Sequence, residues 1–214
     1  CDEAGPDRVT YLSLDLTDEK ALSEADLSSY GVTLVIHAAG LTNLTPLQRK
    51  TEQEWTSVFA VKALAMERLI EKLDRQKLRG VVSFSSIVGY FGNLAQADYA
   101  AANGYLDGFK ASSVPCLSIG WTAWSDVGMA TRGLTKAVLE TSGIAMLPLA
   151  EGVSFFNRIL SWWLPLRRPG TTCLKVFGEL GMSLAKQVEG TASEAASEHE
   201  AMTNVAVVHE DGEE

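Results

Sequence analysis

Short apolar runs at residues 33–37, 80–84, 116–120 and 172–176 alternate with stretches carrying helical signals, and this alternation constrains the fold more than any other feature. Strands joined through helices pack as parallel units, and a series of such units makes a parallel sheet with helices on both faces, a doubly wound α/β architecture. Residues 9–14 lean towards apolar–polar alternation and pass through Leu14-Asp15-Leu16-Thr17-Asp18 into a capped helix, so they read as a fifth strand ahead of the others. Thr51 followed by Glu54 is a capping box that opens a helical stretch running to about Leu78. Unbroken, that helix would be ~42 Å long, more than a small domain needs, so a break is expected near Asp74. Residues 96–110 read as a further helix.

The 214 residues suit one domain or slightly more. Residues 1–8 are expected to be the remnant of an upstream linker, 9–181 the body, and 182–214 an acidic flexible tail or interdomain linker. The chain opens on Cys1 rather than Met, which points to a piece of something longer. Net charge is −9, yet residues 187–214 hold eight acidic side chains and no Lys or Arg, so the rest carries only −1. A body so nearly neutral is not a nucleic-acid-binding surface. No apolar run reaches the 18 or so residues of a membrane span; residues 155–166, with Trp162 and Trp163, are too short and are read as a core or interface helix. Two of the three histidines lie in the tail, which argues against a multi-histidine metal site. Cys1, Cys116 and Cys173 are widely spaced and odd in number, and are read as reduced thiols in a cytoplasmic setting.

Chemistry is suggested by four residues. The helix from Trp55 has an apolar stripe of Trp55, Val58, Phe59, Met66, Leu69, Ile70 and Leu73, and Lys62 falls in its middle. Two readings stand: a buried ammonium, which needs a partner, or a lysine that snorkels to the stripe's edge. Tyr99 and Asn103, four apart, share a helix face. Ser86 is expected two residues beyond a strand end, where α/β sheets place ligands. A phenol beside an ammonium should have its pKa lowered and serve as a proton donor, with a serine hydroxyl fixing a carbonyl oxygen next to it. A serine hydrolase is excluded: no G-x-S-x-G occurs, and His37 is the only histidine outside the tail.

Over residues 9–181, these motifs resemble the ketoreductase domains of modular polyketide synthases and polyunsaturated fatty acid synthases, members of the short-chain dehydrogenase/reductase superfamily. The resemblance is densest in Phe84-Ser85-Ser86, Gly92-Asn93 and Gln96-Ala97-Asp98-Tyr99-Ala100-Ala101-Ala102-Asn103. Ordinary superfamily members carry lysine four residues after the tyrosine, whereas the synthase ketoreductases carry asparagine there and take the lysine from the preceding helix. Asn103 and Lys62 follow that exchange. The resemblance implies a Rossmann-like sheet and NADPH-dependent reduction of a β-ketoacyl group on the phosphopantetheine of an acyl carrier protein, among other synthase domains, with neither nucleic acid nor membrane as partner and no metal. It implies Ser86 on the ketone oxygen, Tyr99 as proton donor, Lys62 tuning Tyr99 and touching the nicotinamide ribose, and Asn103 positioning Lys62 or a relay water. It places Asp15 and Leu16 by the adenine, His37-Ala38-Ala39-Gly40 in the small-residue turn beside the cofactor, and Trp121, Trp124 and Met129 in the substrate lid.

Three departures accompany it. Thr122 stands where the family has glycine in W-G-x-W, awkward if that position needs positive φ. Thr42-Asn43-Leu44 replaces the Leu-Asp-Asp of B-type members, and Phe91 stands where A-type members carry tryptophan, which leans towards A-type. The first βαβ unit, with its glycine-rich phosphate turn, has no counterpart before residue 9, where the first strand matches the family's third. Two alternatives therefore remain: an inactive fragment that needs an upstream segment, and a stand-alone reductase of a small carbonyl compound.

Overall fold

The computed structural model describes residues 9–131 and 145–177. Four strands, β1 (Leu34–His37), β2 (Gly80–Ser86), β3 (Cys116–Trp121) and β4 (Thr171–Val176), form one parallel sheet in the order β1-β2-β3-β4. A short helix α1 (Glu19–Glu24) precedes β1 and is capped by Asp18, whose side chain accepts from Lys20 and Ala21 N–H. Between β1 and β2 run α2 (Glu52–Phe59), a π turn (Ala60–Leu64) and α3 (Ala65–Lys72). α4 (Val88–Phe91) and α5 (Ala97–Gly108) join β2 to β3, and α6 (Leu149–Trp163) lies between β3 and β4.

The two faces of the sheet differ. On one, Met66 and Ile70 of α3 and Leu106 of α5 pack on Val35, Val81 and Cys116. On the other, Phe156, Ile159, Leu160 and Trp163 of α6 pack on Val82, Leu117, Ile119, Trp121, Leu174 and Val176. The sheet is thus doubly wound, as the alternation of strands and helices implied. A Cβ on Gly80 would sit 2.5 Å from Trp163 Cη2, so glycine there makes room for the ring against β2. Trp163 is buried while its neighbour Trp162 is 48% exposed, which makes residues 155–166 part of a core helix with one wet face.

The capping box at Thr51 and Glu54 is present in both directions, and the expected break falls at Leu73, which turns extended one residue before Asp74; helix does not resume beyond it, so the stretch ends at Lys72 and not near Leu78. Residues 9–14 are not a strand, contrary to their pattern. They pair with no strand among the described residues, and Tyr11 is 88% exposed. A strand exists only where a ladder satisfies its backbone, and among the described residues β1 is the edge of this sheet, with β2 as its single neighbour. Two boundaries also shift. Ser86 is the last residue of β2, in register with Trp121, rather than two residues beyond it. The helix expected over residues 96–110 is α5, which starts after Gln96 and stops before Phe109, whose backbone is extended. Among the described cysteines, Cys116 and Cys173 are free thiols. Residues 178–214, including the expected tail, and residues 1–8 lie outside the described residues.

Candidate active site at the carboxyl end of the sheet

Towards their carboxyl ends the strands turn polar on the α5 side. Ser83 and Ser85 of β2, Ser118 of β3 and Lys175 of β4 are buried there, following the apolar Val81 and Cys116. Such groups stay buried only when hydrogen-bonded. Ser85 Oγ donates to the Asn103 carbonyl at 3.2 Å, and Ser118 Oγ donates to Asp107 Oδ1 at 2.6 Å. Lys175 closes that second cluster by pairing with Asp107 Oδ2, its chain crossing Gly120, where a Cβ would clash with Lys175 Cδ. Gly89 likewise lets α4 touch α5, since a Cβ there would sit 2.9 Å from Asn103 Cβ.

Lys62 is 2% exposed, so it is buried and does not snorkel. Its Nζ donates to the Phe84 carbonyl at 2.9 Å and stands 5.4 Å from the centre of the Tyr99 ring. β1 ends at His37, opposite Ser83, so Phe84 lies just past the β1 ladder. Gly40 leaves room for the lysine chain: a Cβ there would be 3.2 Å from Lys62 Cε. Burial lowers the Lys62 pKa to about 8, although the Asp107 carboxylate acts in the opposite direction.

Lys62→Met is therefore expected to stabilise the fold at pH 7. Below about pH 8 the amine is charged both folded and unfolded, and its burial penalty is fully present. Between about 8 and 10.5 the unfolded chain holds more protons than the folded one, so wild-type stability rises with pH, by up to about 3 kcal/mol. Urea melts at pH 7 and pH 10 should show this rise in wild type and its absence in Lys62→Met; parallel profiles would contradict a buried ammonium.

Tyr99 and Asn103 share the inner face of α5, both buried. Hydrogen bonding with Ser86 and Asn103 favours the Tyr99 phenolate, but burial outweighs it and the pKa is raised. That corrects the expectation of a lowered pKa. The Lys62 ammonium is bonded to Phe84 and lies towards the ring, while desolvation acts on the phenol oxygen directly. Asn103 Nδ2 donates to the Tyr99 carbonyl at 2.7 Å, and its buried Oδ1 has no partner among the described residues. Ser86 Oγ accepts from Val88 N–H at 3.2 Å.

Lys62, Ser86, Tyr99 and Asn103 are thus drawn to one end of the sheet. Gly40, which Ala38 and Ala39 precede, lies against Lys62. Asp15 is exposed and accepts from the Thr17 backbone and hydroxyl in the turn before α1, with Leu16 half-buried beside it. Of the expected lid residues, Met129 packs with Val58, Tyr99 and Ala102. Trp121 instead belongs to β3, buried on the α6 face with Trp124 edge-on at 5.1 Å, because its place in the strand turns it from α5. Thr122 is not among the residues with positive φ, so the threonine brings no strain there.

Sequence reasoning missed several supports. Lys50 and Asp98 form a fully buried ion pair at 2.8 Å, and Asp98 Oδ1 also accepts from Tyr99 N–H at 2.9 Å. Forty-eight residues separate the pair, and no local signal links them. Asp107 could have been found, since it continues the four-residue spacing of Tyr99 and Asn103. Among the described residues, no group of three metal-ligating side chains occurs, and no helix is long and apolar enough to cross a membrane.

Comparisons with known proteins identify the family. The KR domain family model matches residues 3–126. The chain is 31% identical over 189 residues to a polyunsaturated fatty acid synthase of Thraustochytrium sp., covering 79% of the chain and 7% of that protein. It is 37% identical over 131 residues to erythronolide synthase EryA3 of Saccharopolyspora erythraea, covering 57% of the chain and 4% of that protein. Among solved structures, an A-type ketoreductase from a modular polyketide synthase superposes with a TM-score of 0.63 at 27% identity, over 78% of this chain and 36% of that one. A ketoreductase domain from the bacillaene assembly line gives 0.63 at 26%, over 84% and 45%. The chain therefore spans a small fraction of the curated synthases and less than half of these solved reductases. By the family match over residues 3–126 and these relatives, it belongs to the KR domain family, the ketoreductases of polyketide and polyunsaturated fatty acid synthases within the short-chain dehydrogenase/reductase superfamily.

Proposed function

We propose that the chain is the catalytic part of an NADPH-dependent β-ketoacyl reductase acting on a substrate carried by an acyl carrier protein, in polyketide or fatty acid biosynthesis. The observation that carries this reading is the buried Lys62 ammonium beneath the Tyr99 ring, with Ser86 and Asn103 at the phenol. When bound, NADPH supplies the hydride that reduces the β-carbon. Tyr99, an ordinary phenol whose pKa burial raises further, keeps its proton at neutral pH and gives it to the forming alkoxide. Ser86 holds the ketone oxygen. The Lys62 ammonium stabilises the phenolate left on Tyr99, and it can bind the nicotinamide ribose. The free Oδ1 of Asn103 suits a water donor that returns the proton to Tyr99 from solvent.

The residues present fit one end of the dinucleotide. Gly40, with no Cβ, and the donors Lys62 and Tyr99 are compatible with the nicotinamide ribose. Among the described residues, no glycine-rich turn leads from a strand into a long helix, so none supplies a Rossmann-type diphosphate site.

Within an intact synthase, a carrier-bound β-ketoacyl thioester should be reduced with NADPH faster than the free thioester. Equal rates on a small free ketone would favour a stand-alone carbonyl reductase. Phe91, edge-on to Tyr90 at 4.9 Å, and the lack of aspartates at Thr42-Asn43-Leu44 support A-type stereochemistry. Chiral analysis should then find an L-hydroxyl; a D-hydroxyl would overturn that assignment.

A further inference from the structure

The helix that delivers Lys62 is not a regular α-helix. Residues Ala60–Leu64 form a π turn, with Ala65 N–H bonded to the Ala60 carbonyl. Kinks and π turns need a cause, and the sequence AVKAL contains neither proline nor glycine. The consequence is visible in burial. Val58, Lys62, Met66 and Ile70 are successive four-residue steps and all are buried. In an ideal α-helix each four-residue step overshoots a full turn by about 40°, so these four would fan across about 120°. Widening one turn removes part of that fan and keeps Lys62 on the line of Val58 and Met66, facing inwards.

His37 meets this turn from the sheet. It is the last residue of β1, 3% exposed, and its Nε2 lies 2.9 Å from the Lys62 carbonyl oxygen. A carbonyl only accepts, so His37 donates from Nε2–H. Burial pushes the imidazole pKa down and the nearby Lys62 ammonium adds to that, outweighing the upward pull of the bonds to the Lys62 and Val61 carbonyls. Lys62 is therefore held at both ends: its carbonyl by His37 and its amine by the Phe84 carbonyl, which lies next to Ser83, the strand partner of His37.

We propose that His37 is a positioning residue whose Nε2–H holds the Lys62 carbonyl in the π turn and so sets where the Lys62 amine stands beneath Tyr99. This differs from contact with the cofactor, the role first expected for His37, and it rests on the reading of Lys62 as the residue that serves Tyr99. The groups acting on the Lys62 amine are His37 from β1 and Tyr99 and Asp107 from α5. Loss of the His37 clamp should let the turn relax and release the amine towards solvent.

The test is competitive acetylation of the dilute 214-residue chain with acetic anhydride over a pH series, with Lys62 followed by mass spectrometry. No cofactor or ketone is needed, so a negative result here leaves the reductase reading standing, and loss of the reductase reading leaves this result interpretable. Wild type should label Lys62 with a midpoint of about 8. His37→Leu should move that midpoint towards the ordinary 10.5, while His37→Gln, whose amide nitrogen reaches the Nε2 position, should keep it near 8. A folded His37→Leu chain with an unchanged midpoint would overturn the proposal, as would an equal shift in His37→Gln. If His37→Leu does not fold, the amide pair decides. The shorter His37→Asn should shift the midpoint where His37→Gln does not, and equal behaviour of the two would overturn the clamp.

Discussion

Tyr99→Phe in an intact synthase reductase is expected to abolish ketone reduction while leaving the fold in place. The substitution removes one oxygen from a buried ring that keeps its packing against Val58 and Ala102. Stability should change by only about 1 kcal/mol, the net worth of ordinary hydrogen bonds. The rate should change far more. A positioned general acid typically contributes about 10²- to 10⁴-fold, and the Tyr99 hydroxyl, which bonds with Ser86, is the group placed for that role. Steady-state kcat with a carrier-bound substrate measures this directly. Retention of more than about a tenth of wild-type kcat, a barrier rise below roughly 1.4 kcal/mol, would remove Tyr99 as the proton donor.

The isolated 214-residue chain should bind NADPH poorly, reduce β-ketoacyl thioesters negligibly, and self-associate. Among the described residues, β1 is a sheet edge whose outer backbone groups have no ladder partner, and Ile36 on it is 47% exposed. Exposed apolar edges of this kind template pairing with another chain. Val9, Tyr11 and Leu12 add exposed apolar surface in a segment that has no strand to join. Cofactor affinity should suffer because charge-assisted hydrogen bonds to phosphate are among the stronger ones, and the described residues supply no helix N-terminus behind a glycine-rich turn to make them. Sedimentation velocity across a concentration series, with NADPH fluorescence on the same samples, reads both expectations. A monomer that turns over with NADPH would contradict both and would mean that the diphosphate is held by residues of another kind.

Much of the architecture was legible because it is written locally. The capping box at Thr51 and Glu54, the Asp18 cap, the stop ahead of Asp74 and the apolar runs of β1 to β4 each act within a few residues, through side chains that satisfy or refuse the neighbouring backbone. The four-residue spacing of Tyr99 and Asn103 is equally local, and α5 carries both inwards as the periodicity required. The same local signals misread residues 9–14, whose alternation is that of a strand but whose backbone finds no partner.

By itself, then, the sequence determined a parallel, doubly wound sheet and four candidate residues, since helical and strand periodicity, caps and turn residues are properties of short segments. Tertiary structure alone decided that Lys62 is buried rather than snorkelling, that burial raises the Tyr99 pKa, that Trp121 faces α6, and that His37 grips a π turn. Those outcomes depend on partners 22 to 68 residues away, Phe84 for Lys62, Lys62 for His37 and Lys175 for Asp107, and on how much water folding removes from each group. Desolvation and long-range hydrogen bonds have no period along the chain, so they come into being only when the sheet brings the ends of its strands together.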